Sequence, residues 1–272
     1  MAAAKNGNPP KSIALLPVLN HTKFHELGKI FRIDLFSHLA VLPYQDIELS
    51  KVDIRLKDNG LLENVGFTQI PIQELGRILG CDAVVIGELN KCHRLFLGVY
   101  SQMTVEGCVT IWDTRSGAQI WTDTLVLRKH EGGIPLGLLD LPLISVRSGM
   151  NLRNTIREDL VDKLSENLIS RIPAPPSTNM TRNEKFEYAY ELQIGAYLIK
   201  ENAYKEKKQL EEQGYYPVHV RSHWDERGLW HKVLIGSYKD REYVLQLQKE
   251  IRDNMGAHPV IARFVLNNND QY

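Results

Sequence analysis

The sequence predicts an α+β protein of two domains: a mixed α/β sandwich, then a proline-rich linker, then a βαββαβ unit with a four-stranded antiparallel sheet. Three observations predict it. The stretch Arg171-Ile-Pro-Ala-Pro-Pro-Ser-Thr-Asn-Met-Thr181 sets three prolines among small polar residues, a stiff solvated connector that no core can use. Upstream of it, apolar runs of strand length alternate with stretches of helical period. Downstream, Ile194-Gly-Ala-Tyr197 recurs as Ile235-Gly-Ser-Tyr238 at an offset of 41 positions. The expected bounds are a tether over 1–11, a first domain over 12–172, a linker over 173–185, a second domain over 186–267 and a tail over 268–272.

In the first domain, Ile13-Ala-Leu-Leu-Pro-Val-Leu19 is a short apolar run that reads as a buried strand. Phe24, Leu27, Phe31, Leu35 and Leu39 follow at helical spacing and predict an amphipathic helix. Asp82-Ala-Val-Val-Ile-Gly-Glu-Leu89 is a second buried strand. Two long β segments are expected at 95–112 and 118–128, joined through Asp113-Thr-Arg-Ser-Gly117, which has hairpin-turn composition. Leu152, Ile156, Leu160, Leu164 and Leu168 then predict a long helix packed on the sheet. Between the two lies 131–150, apolar but of neither period. It either folds over the core or offers a surface to a partner or a membrane.

The repeat organises the second domain. Glu201 and Glu242, Ala203 and Val244, and Leu210 and Ile251 keep the offset of 41, and Pro217-Val218 matches Pro259-Val260 after one extra residue. Each half reads strand, turn, helix, strand, which gives βαββαβ with both helices on one face. Val244, Leu247, Ile251 and Met255 form the buried stripe of the second helix. Leu192, Ile194, Val218, Val220, Val233, Ile235, Val260 and Ala262 are expected to meet the helices. The opposite parity then looks outward: Glu191, Gln193, His219, Arg221, Trp230, Lys232, Ile261 and Arg263. An indole on an open sheet suits stacking on the apolar face of a sugar ring. Amide and guanidinium donors suit hydroxyls, N-acetyl carbonyls and carboxylates. A plain solvated sheet is the alternative.

Composition narrows the function classes. Basic and acidic residues balance at 33 each, so no global field draws the chain to nucleic acid or anionic lipid. Cys81, Cys92 and Cys108 form no C-x-x-C pair, which argues against a zinc site or disulfide framework. No G-x-S-x-G, H-E-x-x-H or Walker loop is present, and Glu211-Glu212 falls on a solvated helix face. His219, His223 and His231 lack an accompanying carboxylate or cysteine at ligand spacing. No cofactor, metal or catalytic residue is expected.

The second domain resembles a SPOR domain. The carrying residues are Tyr190-Glu-Leu-Gln193-Ile-Gly195-Ala-Tyr197, Asn202-Ala203, Gly214-Tyr215 and His231-Lys232-Val233-Leu-Ile235-Gly236-Ser237-Tyr238. It departs from the family pattern at Lys232 for arginine, His231 for an aromatic and Ser237 for proline. The resemblance implies binding to denuded glycan strands of peptidoglycan, often at division sites, through the open face. Gln193 carries over directly, Lys232 by charge and Trp230 by position. His219, Arg221 and Arg263 join them by strand parity, and Trp224 lies beside the turn after its strand.

The first domain resembles outer-membrane lipoproteins related to the amino-terminal domain of TolB and to the curli secretion lipoprotein. The carrying residues are Lys11-Ser-Ile-Ala-Leu-Leu-Pro-Val-Leu-Asn20, Leu79-Gly-Cys-Asp-Ala-Val-Val-Ile-Gly87 and Ile111-Trp-Asp-Thr-Arg-Ser-Gly117-Ala-Gln-Ile-Trp121. The resemblance implies a scaffold for an envelope protein partner or for self-association. The residues before Ser12 read as a polar tether, and an export signal with a lipidated cysteine is expected ahead of Ala2, which would supply the only membrane contact. The expected place is the periplasm and outer membrane of a Gram-negative bacterium. Two other readings stand beside the wall-binding one: a secretion or assembly subunit addressed to the wall, and an RNA-binding module of the same βαββαβ topology. A wall hydrolase would need a catalytic pair that the motifs do not supply.

Overall fold

The apolar run after the tether becomes a parallel pair at the centre of the first sheet. Strand β1 (Ser12–Leu15) lies between β3 (Gln45–Asp46) and β4 (Ala83–Leu97), parallel to both. Asp82 pins this start. Its carboxylate accepts the backbone N–H groups of Lys11 (2.8 Å) and Ser12 (3.2 Å), while its own N–H donates to Ser12 Oγ at 3.0 Å. The computed structural model describes residues 10–40, 42, 44–97, 100–132, 146–173, 187–225 and 228–266. It divides into two compact units, Met1–Pro176 and Ser177–Tyr272.

In the first unit, β4 continues into an antiparallel meander with β5 (Tyr100–Asp113) and β6 (Gln119–Gly132), and short β2 (Leu19–Asn20) also pairs with β4. Alternation splits β1 and β4 between two cores. Ala14 and Val84 face one apolar cluster with Val52 and Leu56 of α2 (Leu49–Asp58) and Leu75 and Leu79 of α3 (Ile72–Leu79). The other face meets α1 (His25–Leu39) and α4 (Val146–Ser170), where Phe31, Leu35, Leu164 and Leu168 are fully buried. α1 and α4 are tied by His38 Nε2 and Asp162 Oδ1 at 3.2 Å. Mixed α/β architecture is thus what the alternation of apolar runs and helical stripes dictates.

Three details of the first unit differ from the sequence reading. The β segment expected at 95–112 is divided between the end of β4, to Leu97, and β5, from Tyr100. Asn90 to Arg94 continue the strand: β4 runs unbroken from Ala83 to Leu97, because a β-bulge between Leu89 and Lys91 absorbs one residue without ending the pairing. The helices α2 and α3, with a 3₁₀ turn over Glu63–Gln69, fill a stretch for which no element was expected. The turn after β5 does form at Asp113, whose Oδ1 accepts the N–H groups of Arg115 and Ser116 at 2.9 Å each. Of the apolar stretch 131–150, the first two residues end β6 and the last five begin α4; 133–145 lie outside the described residues. Among the described residues no helix is long and apolar enough to cross a membrane.

The second unit is βαββαβ: β7 (Glu187–Tyr197), α5 (Lys200–Glu212), β8 (Val218–Asp225), β9 (Gly228–Tyr238), α6 (Arg241–Met255) and β10 (Val260–Leu266). Its strands pair antiparallel in the order β10-β7-β9-β8. One row of side chains crosses all four strands, Ile261 beside Leu192, Leu192 beside Ile235, and Ile235 beside Val218, and each is buried. Ala203 and Leu210 of α5 and Val244, Leu247 and Ile251 of α6 are buried with it. Asp240 caps α6 by accepting from Glu242 and Tyr243 N–H, and Gln248 donates to the Pro259 carbonyl at 2.7 Å.

The register corrects one strand of the sequence reading. In β10 it is Ile261 that faces the helices, so Val260 and Ala262 take the other face and Arg263 shares the face of Ile261. Ile194, expected among the helix-facing residues, is the surplus residue of a bulge between Gln193 and Gly195 and is half-buried. A second irregularity, between Tyr190 and Leu192, falls opposite Gly236, which sits at φ +118° with its N–H donating to the Pro217 carbonyl at 3.0 Å. A Cβ at Gly236 would stand 2.9 Å from the Tyr190 carbonyl oxygen.

Gly236→Ala therefore meets both strain and a backbone clash. Chemical denaturation of the full chain is expected to show a loss of about 1–3 kcal/mol. Gly256→Ala, at φ +64° with nothing near its added Cβ, is expected to cost only about 1 kcal/mol. Equal effects would contradict the close-approach argument.

Candidate functional site

On the helix-free face of the second sheet, the pairing brings five of the expected residues together. Gln193, Leu234 and His219 form one row across β7, β9 and β8, with Val260 beside Gln193. Ala196, Lys232 and Arg221 form the next, and Trp230 and His223 pair beyond it. Trp230 is half-buried, not freely exposed as expected, because it lies within a strand pair opposite His223.

Two expected residues are not on this face. Arg263 belongs to the helix side with Ile261, as the β10 register requires. Trp224 pairs with Leu229 and has the parity of Val218 and Val220, so it stands on the side opposite Trp230. It is 72% exposed at the end of the hairpin. His231 likewise has helix-side parity. It is buried, with its Nδ1 3.0 Å from Ser222 Oγ, which separates it from His219 and His223. Among the described residues no group of three metal-ligating side chains converges.

The feature that parity alone does not reveal is the partner of His219 and Arg221. Both reach the Glu191 carboxylate: Arg221 Nη1 and Nη2 donate to Oε2 and Oε1 at 2.8 Å each, and His219 Nε2 lies 3.0 Å from Oε1. Glu191 is on β7 and the other two are on β8, so the bridge spans β9 on the face that carries Leu234. Both Leu234 and Glu191 are 3% exposed. Burial by itself would push the Glu191 carboxyl up. The hydrogen bonds and charges of His219 and Arg221 outweigh it and hold the group below the ordinary carboxylate range.

This arrangement changes what the face can offer a ligand. Both terminal nitrogens of Arg221 are committed to Glu191, although its side chain is 55% exposed. The same face also carries the amide of Gln193, the ammonium of Lys232 and the indole of Trp230. The signal in the sequence was a carboxylate of the same parity as two basic residues two strands away, and nothing in the spacing said that they would meet across β9.

Residues 2–159 match the family model of GNA1162-like lipoproteins. The chain belongs to that family. Beyond this GNA1162-like part, residues 187–263 match the SPOR domain. Among solved structures, the first part is similar to lipoprotein GNA1162 from Neisseria meningitidis, at 22% identity over 56% of this chain and 99% of that one, with a TM-score of 0.41. It is also similar to the PelC dodecamer from Paraburkholderia phytofirmans, at 13% identity over 62% and 91%, TM-score 0.36. The second part is similar to the RlpA SPOR domain from Pseudomonas aeruginosa, at 23% identity over 27% and 96%, TM-score 0.25. A comparison with curated proteins finds no match.

The Glu191 bridge has a definite pH signature. A carboxyl held below its unfolded value stabilises the fold above the ordinary carboxylate range, and that contribution is lost as pH falls through the folded value. Glu191→Gln is expected to cost about 1–3 kcal/mol at pH 7, after allowance for solvent around Arg221. The gap from wild type should narrow below about pH 4 in urea denaturation. A gap that stays constant or widens on acidification would contradict the bridge.

Proposed function

We propose that this chain is a non-enzymatic protein of the bacterial envelope that binds the glycan strands of peptidoglycan. The second unit holds the glycan through its helix-free face. The first unit, a lipoprotein-family domain, serves a protein partner or an assembly at the periplasmic side of the outer membrane. One observation carries the reading. The residues that match the SPOR domain are those that fold into this sheet, and its helix-free face gathers Gln193, Lys232 and Trp230.

The chemistry follows from the groups. A half-buried indole presents an apolar ring face to the C–H surface of a sugar, which an alkyl side chain covers less well. Gln193 supplies both a donor and an acceptor for N-acetyl groups and hydroxyls. Lys232 supplies a positive charge for the lactyl carboxylate that a strand stripped of stem peptides exposes. A point charge there is less demanding of geometry than the arginine of the family pattern. The Glu191 bridge keeps Arg221 and His219 positioned beside these groups. A SPOR domain is a binding module in this reading, so the recognition is expected to end in retention, with no bond cleaved.

Co-sedimentation with purified sacculi tests this. Gln193→Ala and Trp230→Ala should each weaken pelleting by roughly tenfold, the loss of one good hydrogen bond or ring contact, with the circular dichroism spectrum unchanged. Trp224→Ala and Arg263→Ala, on the other side of the sheet, should pellet like wild type. Equal loss in all four, or RNA binding by mobility shift without sacculus pelleting, would overturn the proposal. Clearing of the sacculus suspension would overturn its non-enzymatic part.

A further inference from the structure

The Glu191 bridge also decides what Arg221 and His219 can present to a ligand. Glu191 takes one N–H from each terminal nitrogen of Arg221, at 2.8 Å each. A guanidinium has a second N–H on each of those nitrogens and another on Nε. With a side chain 55% exposed, Arg221 can offer these to a ligand while the carboxylate fixes it from below.

His219 is oriented by the same carboxylate. A carboxyl held below its ordinary range is ionised at neutral pH and only accepts, so the hydrogen between Glu191 Oε1 and His219 Nε2 sits on the nitrogen. In the neutral ring Nδ1 then has no hydrogen and is an acceptor. The His219 side chain is 35% exposed, against 4% for Glu191. The carboxylate is thus covered while its two partners reach the surface.

Charge sorts the ligands that such a pair accepts. Arg221 and Glu191 cancel, so the bridge holds directional donors without a net charge to attract an anion. Beside them stands the acceptor of His219. A neutral amide has the matching set, a carbonyl that accepts and an N–H that donates, whereas a carboxylate has no donor and an ammonium no acceptor. Trp230 and His223 hold the next row of the same face, about 7 Å along the strands. A sugar ring stacked on that indole brings its ring substituents within reach of the pair. We propose that Arg221 and His219 form a subsite for the acetamido group of an N-acetylated sugar, with Glu191 as the positioning residue that holds both. This subsite rests on the glycan-binding proposal and adds to it which substituent is recognised, and by which residues.

Co-sedimentation of the full chain with sacculi is compared with co-sedimentation on the same sacculi after N-deacetylation, and re-acetylation with acetic anhydride should restore the first result. The quantity read is the ratio of the two affinities. A partly unfolded variant leaves that ratio unchanged, because both affinities fall by the same folded fraction. Wild type is expected to favour the N-acetylated wall by about tenfold or more. His219→Phe, which alters no charge when the imidazole is neutral, should reduce the ratio to about threefold or less. Glu191→Gln should lower it as well, because the guanidinium loses its fixed place. N-deacetylation also creates ammonium groups, and plain repulsion by them acts differently. It would raise the ratio in Glu191→Gln, where the face gains positive charge, and leave it unaltered in His219→Phe. Either result overturns the proposal. Failure of wild type to pellet on untreated sacculi overturns the glycan reading itself, whereas pelleting with a ratio near one overturns the acetamido subsite alone.

Discussion

A strand has two faces, and in a four-stranded sheet with two helices only one face can be sealed by helices. In the second unit that constraint commits Leu192, Val218, Val233, Ile235 and Ile261 to α5 and α6. Every residue between them is displaced to the far side, whatever its chemistry. The far side of the second sheet received an amide, an indole, two strong bases, two imidazoles and a carboxylate. Apolar burial thus selects, indirectly, which polar groups stand together, and the site is the remainder after the core has been satisfied.

That remainder is not all equivalent. A carboxylate at 3% exposure is costly unless something replaces its water. Glu191 finds that replacement in the two-pronged contact with Arg221 and in His219. The contact fastens β7 to β8 over the intervening strand and shelters Leu234, so a polar network gives the nominally open face a small packed centre of its own. Binding groups arranged around a fixed centre lose less freedom on meeting a ligand than groups on a bare sheet. The departures from the family pattern fall outside this network, which is why a lysine in place of an arginine leaves the architecture untouched.

Much of this was legible in the residues. The offset repeat of Ile-Gly-small-Tyr gave the order of elements in the second unit, and alternation placed Gln193, His219, Arg221, Trp230 and Lys232 on one face. Alternation failed where the chain carries a surplus residue, at Ile194 and at Asn90, because a bulge changes the count without changing composition. It failed in β10 for a different reason: Val260, Ile261 and Ala262 are all apolar, so only the pairing with Leu192 decides which is buried. Arg263 was misplaced by the same slip. The ion bridge was hidden because it joins residues distant in sequence, Glu191 to Arg221, with no local period to announce it.

The irregularities on either side of Leu192 and Gln193 have a further geometric effect. Each adds local right-handed twist to the β7 and β9 pair. Simple alternation from Leu192 would carry Ala196 to the helix side, and the surplus residue at Ile194 sets it beside Lys232 on the helix-free face instead. A single extra residue in the count of β7 thus decides which side chain stands next to Lys232.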